Sequence, residues 1–252
     1  MHDQASRSLE EDVVHVWWVE LDDPRLDYDA LYSTLAEDEA ARAGRIRKHG
    51  ERYRWIVARA TLRQILGRYV GIEPSLVRFS YSIDGRPRLS GQLNDQALQF
   101  SLSHAGSYAL CAIARGYRVG VDVEIQGAFN HDDLARHRFT PQEVDLLASL
   151  PSSERGAWFV QLWTYKEAYV KARGLSLDTV LNDIVMVPRA TGTTAIIAEH
   201  ELRAGTWTLR ALPVMHGYCG AIAAASPACR IQFRAWPVAT RSRNCSKLDL
   251  EA

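Results

Sequence analysis

The chain has 252 residues, 47% hydrophobic and 24% charged, the composition of an ordinary globular protein with room for one large domain or two smaller ones. Thirty basic and thirty acidic side chains cancel, so no global field favours nucleic acid or a membrane surface, and neither is expected as a partner. No apolar run reaches membrane-spanning length, no signal peptide stands out from Met1 to Asp12, and Cys111, Cys219, Cys229 and Cys245 form no C-x-x-C pair, so a reducing cytoplasm is the expected location.

In chain order, residues 1 to 12 read as a loose tail and Val13 to Leu21 as a buried strand. Asp38 to Lys48 reads as a helix that turns basic at Arg42, Arg45, Arg47 and Lys48. A second helix, Glu51 to Val70, puts Tyr53, Ile56, Val57, Ala60, Ile65 and Leu66 on a buried face and Arg52, Arg54, Arg59, Arg63 and Arg68 on the others. This basic stretch reads either as a solvated helix surface or, because few acids accompany it, as an anion-binding face. Gly71 to Pro74 ends the helix, and Leu76 to Ser82 is strand-like. Asp84-Gly85-Arg86-Pro87 is a turn, either a plain hairpin loop or a proline-stiffened loop that offers a cation to a phosphate. A strand from Phe100 to Leu102 is expected to break at Ser103-His104-Ala105-Gly106, with Tyr108 to Ala114 as the next strand. Ser103 and His104 at a strand end are either local hydrogen-bonding groups or members of a site. Cys111 and Cys219 sit in apolar runs and read as core.

From Val119 to Ile125 the chain alternates strictly. Val119, Val121, Val123 and Ile125 make one apolar face; Gly120, Asp122 and Glu124 make the other. Carboxylates at alternate strand positions point the same way, and like charges that close are unfavourable unless a cation lies between them. The stretch is therefore an edge strand with a solvated acidic face, or an oxygen site for a divalent cation such as magnesium.

Gln126 to Asp133 is polar and glycine-containing and reads as a linker, which divides the chain into 1–125 and 126–252. Thr140, Pro141 and Glu143 fit the N-cap, N1 and N3 positions of a capping box. Glu154 to Arg173 is the strongest helix of the second half, with Trp158, Leu162, Tyr165 and Tyr169 as one apolar stripe and Phe159, Trp163 and Val170 widening it. Glu167 among these residues needs a partner: Lys171 one turn on, or a metal. Strand-like runs follow at Ile184 to Val187, Thr206 to Leu212, Tyr218 to Ala225 and Ile231 to Trp236, and a polar tail begins after Ala239. Helices followed by strands on short connections in each half point to an α+β fold.

Gly120-Val-Asp-Val-Glu124, followed by Trp163-Thr-Tyr-Lys-Glu167-Ala-Tyr-Val-Lys171, resembles the 4′-phosphopantetheinyl transferases of the larger, pseudodimeric type. Gly85-Arg-Pro87, Phe100-Ser-Leu-Ser-His104 and Phe139-Thr-Pro-Gln-Glu143 support it, and the likeness spans roughly Glu37 to Asp183. The resemblance implies two similar α+β halves with a ligand cleft between them. It implies transfer of the phosphopantetheine arm of coenzyme A to a serine of an acyl or peptidyl carrier protein, with magnesium, releasing adenosine 3′,5′-bisphosphate. By position, Asp122, Glu124 and Glu167 would hold the metal. Ser103, His104, Arg86 and Lys171 would contact phosphates, and Arg42 and Arg54 the nucleotide end. Glu143 matches a glutamate proposed to help deprotonate the carrier serine; if its carboxylate is spent on the Thr140 amide, the base must come from elsewhere, such as a metal-bound water or Glu167. The basic rim of Arg136, His137 and Arg138 would steer an acidic carrier. A monomer serving fatty-acid, polyketide or peptide synthesis is expected. Two other readings use the same residues: a metal-dependent phosphodiesterase or pyrophosphatase acting on coenzyme A or a nucleotide, and a non-catalytic binding module.

Overall fold

The computed structural model describes residues 9–82, 86–91, 97–127, 131–175, 184–188, 194–198 and 207–236. In chain order the elements are β1 (Val13–Glu20), α1 (Tyr28–Tyr32), α2 (Glu37–Gly44), α3 (His49–Val70), β2 (Phe79–Tyr81), β3 (Pro87–Leu89), β4 (Leu98–Ala105), β5 (Tyr108–Arg115), β6 (Val119–Ile125), α4 (His131–Arg138), α5 (Pro141–Ser149), α6 (Ser152–Arg173), β7 (Val185–Pro188), β8 (Thr194–Ala198), β9 (Thr208–Ala211), β10 (Tyr218–Ala224) and β11 (Arg230–Ala235). Helices and strands are segregated rather than alternating, the α+β class that the sequence implies. Two compact units interleave along the chain. The first takes the chain up to Leu98, Ser107–Gly116 and the chain from Arg230; the second takes Gln99–Gly106 and Tyr117–Cys229.

In the first unit, β1 is β-branched and aromatic along its length and buried on both faces, as a central strand must be. It pairs parallel with β11 and antiparallel with β5. The supposed tail before it is engaged at its end: Leu9 is buried and its carbonyl accepts from Arg115 Nε at 3.0 Å. Glu10 and Asp12 both pair with Arg230. The run from Leu76 is not one strand, because Pro74 starts a single 3₁₀ turn, Pro74–Leu76, and only Phe79–Tyr81 pairs, with β3.

The basic helix α3 is the main correction to the sequence reading. It is buried around most of its circumference, Arg59 and Arg63 included. Both arginines pair with the buried Glu39 of α2, Arg63 Nε at 2.6 Å from Oε2. Arg63 also donates to the carbonyls of Pro74 and Val77, while Arg59 lies 4.3 Å over the Phe79 ring. These two charges are therefore neither a solvated surface nor a free anion-binding face; they join α2, α3 and the β2 segment around one carboxylate.

In the second unit, β10 lies between β6 and β9 in an antiparallel sheet. Glu124 faces Cys219 across the ladder, Asp122 faces Ala221 and Gly120 faces Ala223. Cys219, Ala221 and Ala223 belong to one apolar core with Phe159, Leu162, Trp163, Tyr165, Tyr169 and Val170 of α6. That helix ends where expected, at Gly174 with a left-handed φ of 71°. The expected linker is shorter than Gln126 to Asp133, since α4 begins at His131. β4 runs through Ser103 and His104 to Ala105 instead of breaking before them. The strand expected at Thr206 to Leu212 is realised at Thr208–Ala211, and the β7–β8 hairpin contains a strand, β8, that the sequence reading had not placed. The tail after Ala239 and Cys245 lie outside the described residues.

Candidate active site

The acidic part of the candidate site lies in the second unit and begins with Gly120. A Cβ there would stand 2.0 Å from the Ala168 carbonyl oxygen and 2.5 Å from the Ala172 nitrogen. Only glycine lets β6 lie directly on the backbone of α6, and Ala168 and Ala172 keep that strip of the helix low. Side chains two and four positions further along β6 then emerge on the helix side. On α6, Trp163, Glu167 and Lys171 follow at four-residue intervals and form one row. The two motifs are the two walls of one site.

Lys171 Nζ stands between those walls. It lies 2.6 Å from Asp122 Oδ1, 2.9 Å from Ser103 Oγ and 3.5 Å from Glu167 Oε2. Ser103 donates to the same Asp122 Oδ1 at 2.7 Å, and Ser101 Oγ accepts from the Val121 amide at 3.1 Å, so two serines of β4 secure β6. Asp122 is 1% exposed, and its second oxygen, Oδ2, is buried with no hydrogen-bond partner among the described residues.

The electrostatics follow from three carboxylates around one ammonium. Burial, then repulsion from Asp122 and Glu167, pushes the Glu124 pKa up to about 7, although Lys171 and the Trp163 indole pull against it. Burial and Asp122 likewise push Glu167 up to about 7, opposed by Lys171 and Trp163. Burial by itself would lower the Lys171 pKa, but Asp122 and Glu167 more than offset it, so the ammonium is held protonated. Desolvation by the surrounding protein, then the Lys171 charge, lowers the pKa of His104.

Among the described residues no group of three His, Cys, Asp or Glu side chains is already gathered to hold an ion. The donor set nevertheless fits a hard divalent cation: all three side chains offer oxygen, Asp122 Oδ2 lacks a partner among the described residues, and positive charge favours ionisation of the two raised carboxyls.

Glu143 stands apart. The capping box is formed as expected, with Glu143 Oε2 accepting the Thr140 amide at 2.9 Å. The same carboxylate accepts the Met186 amide at 2.9 Å and pairs with Lys166 Nζ at 2.6 Å, both side chains fully enclosed. Lys166 is the residue that the sequence reading missed. A lysine inside an apolar helix face was the available signal, since such a charge has to be paired.

Three predicted residues lie in the first unit. Arg54 is ion-paired to Asp22 at 2.7 Å, Arg42 is exposed with its guanidinium 5.7 Å from the Trp55 ring, and Arg86 follows Ser82, whose side chain bonds its backbone. Arg136 and His137, at the end of α4, are exposed.

The model of the 4′-phosphopantetheinyl transferase superfamily matches residues 118–223, and that of the 4′-phosphopantetheinyl transferase N-terminal region matches residues 23–115. The chain is 40% identical over 168 residues to the 4′-phosphopantetheinyl transferase HetI of Nostoc sp., covering 66% of this chain and 71% of that protein. It is 33% identical over 172 residues to a putative 4′-phosphopantetheinyl transferase of Synechocystis sp., covering 68% of each. A solved holo-(acyl-carrier-protein) synthase from Bacillus anthracis overlays 42% of this chain and 93% of its own length at 19% identity, with a TM-score of 0.37. With both family segments in order and both walls of the acidic site inside the matched stretch, the chain belongs to the 4′-phosphopantetheinyl transferases, of their larger, two-part type.

Proposed function

We propose that this protein, acting as a monomer in the cytoplasm, moves the 4′-phosphopantetheine group of coenzyme A onto a serine of an acyl or peptidyl carrier protein. The observation that carries the reading is the convergence of Asp122, Glu167 and Lys171 beside a buried Asp122 Oδ2 that has no partner among the described residues. In the reaction, the serine oxygen bonds the phosphorus that bears the pantetheine arm. The bridging anhydride P–O bond breaks, and adenosine 3′,5′-bisphosphate leaves with the electron pair. Such transfer needs mainly positioning and positive charge on the phosphate oxygens.

Asp122, Glu124 and Glu167 would hold magnesium, which supplies Lewis-acid stabilisation of the diphosphate when bound. Lys171, kept protonated by its carboxylate neighbours, is a fixed cation for the leaving bisphosphate. Ser103 orients Lys171 through the shared Asp122 oxygen, and with His104 it is a proposed phosphate contact, its hydroxyl turning from Asp122 to do so. Arg42, Arg54 and Arg86 are the proposed contacts to the nucleotide end, Arg54 being already oriented by Asp22. With Glu143 engaged elsewhere, the serine proton is left to Glu167, a carboxylate of the site itself, or to a water beside it. Glu143 is not favoured, because the backbone amides of Thr140 and Met186 and the Lys166 ammonium already engage its two oxygens. Arg136 and His137 are a proposed landing point for an acidic carrier.

The test is mass spectrometry of an apo carrier protein incubated with this protein, coenzyme A and magnesium. A gain of the phosphopantetheine mass is expected. Hydrolysis of coenzyme A without that gain would instead indicate a phosphodiesterase, and binding without turnover a carrier or cofactor module.

A further inference from the structure

Lys166 has no part in the chemistry above, yet it is among the most completely buried side chains of the second unit, at 0% exposure. Its ammonium lies 2.6 Å from Glu143 Oε2 and 5.2 Å from the Phe139 ring centre. Phe139 in turn stacks on Phe159 at 4.9 Å and lies 6.4 Å from the Trp163 ring. Glu143 is itself fixed from two further directions, by the Thr140 amide at the start of α5 and by the Met186 amide of β7. One ion pair therefore ties α5 and β7 to α6, at the residue immediately before Glu167 and one turn after Trp163.

Stability alone is a poor reason for such a pair. Removing two charges from water costs several kcal/mol per ion, and well-packed apolar side chains often serve the fold as well or better. What apolar residues do not supply is a directional restraint. A helix held only by greasy contacts can rotate or slide by fractions of an ångström, whereas a charged hydrogen bond between two immobile partners fixes it.

We infer that Lys166 and Glu143 are positioning residues: their buried ion pair sets the rotation of α6, and through it aims Glu167 and Trp163 at Asp122 and Glu124. Glu143 thus acts on the reaction through α6 and not by taking a proton. The inference rests on the assignment of Asp122, Glu124 and Glu167 as the cation site. It treats Lys166 as their outer support, of the kind whose loss costs roughly 10- to 100-fold in metal affinity.

The experiment compares wild type, Glu143→Gln and the double variant Lys166→Met/Glu143→Met in three measurements: thermal midpoint, Mn²⁺ affinity by electron paramagnetic resonance, and kcat and KM for the carrier reaction. In the double variant we expect a thermal midpoint at or near the wild-type value, Mn²⁺ binding weakened about tenfold, and kcat reduced with KM for coenzyme A little changed. Wild-type Mn²⁺ affinity in the folded double variant would overturn the inference. If that variant does not fold, Glu143→Gln decides, because it keeps the volume and one of the two backbone amide bonds and removes the charge. Weakened Mn²⁺ binding there supports positioning; a loss of kcat with Mn²⁺ affinity intact would return Glu143 to the role of base. Failure of the parent reading is distinguishable, since it would appear as wild-type protein that leaves the carrier mass unchanged, while the Mn²⁺ comparison still reports on Lys166.

Discussion

Lys171 places its one charge in two roles. It stands between the carboxylates in the free protein, and it is the cation offered to the leaving phosphate. A divalent ion and this ammonium draw on the same Asp122 and Glu167 carboxylates, so each weakens the hold of the other. Lys171→Met should bind Mn²⁺ more tightly than wild type in the absence of coenzyme A, by roughly tenfold for about 1.4 kcal/mol of repulsion removed, while transfer activity falls; calorimetric titration would expose the opposite outcome. Asp122→Ala and Glu167→Ala should each abolish carrier modification with the far-ultraviolet dichroism intact, and undiminished activity in either would remove that residue from the site. Glu124 gives a pH signature. Its folded pKa, about 7, lies above the ordinary value of 4.5, so the native state binds more protons than the unfolded one across that window. Stability of the metal-free protein is therefore lost as pH rises from 4.5 through 7. Glu124→Gln should flatten that fall and raise the midpoint at pH 8, which a pH series of thermal melts would check.

At the level of elements, the site depends on how closely one strand can lie on one helix. Gly120→Ala puts a methyl group inside the Ala168 carbonyl, where no rotamer change can make room. The expected result is a loss of about 3 kcal/mol or more in urea unfolding, together with loss of transfer as Asp122 and Glu124 are pushed from Lys171. Periodicity alone identifies the strand and its acidic face, because side chains alternate on any strand. It does not reveal that the glycine is a contact point, since that is a property of the helix beneath. The same division holds at α5. Thr140, Pro141 and Glu143 are legible as a cap because capping is local, whereas the bonds from Glu143 to Lys166 and Met186 join residues distant in the chain. In α3 the local reading failed for a similar reason: the arginines look solvated until Glu39 is brought in from α2. Glu39→Ala would leave Arg59 and Arg63 buried without their carboxylate and should destabilise the first unit by about 3–5 kcal/mol, as measured by chemical denaturation.

Over the whole molecule, the two units should respond to acid in different senses. Burial lowers the pKa of His15, in the sheet of the first unit, from 6.5 to about 4; its ring bonds the Tyr69 hydroxyl. The unfolded chain takes up that proton more readily between pH 6.5 and 4, so His15 costs stability as pH falls through the window, the reverse of Glu124. No described helix is long and apolar enough to cross a membrane. The sequence by itself determined the α+β class, most helix and strand positions, and the family, because each of these rests on short-range pattern: alternation, helical rows, caps, and two motifs of fixed spacing. Only the tertiary structure decided which strands share a unit, which arginines are buried, that Glu143 is occupied by Lys166, and that Lys171 sits among the acids. Those outcomes depend on which distant residues come to share a low-dielectric space, and pairing of that kind leaves no local trace in the order of residues.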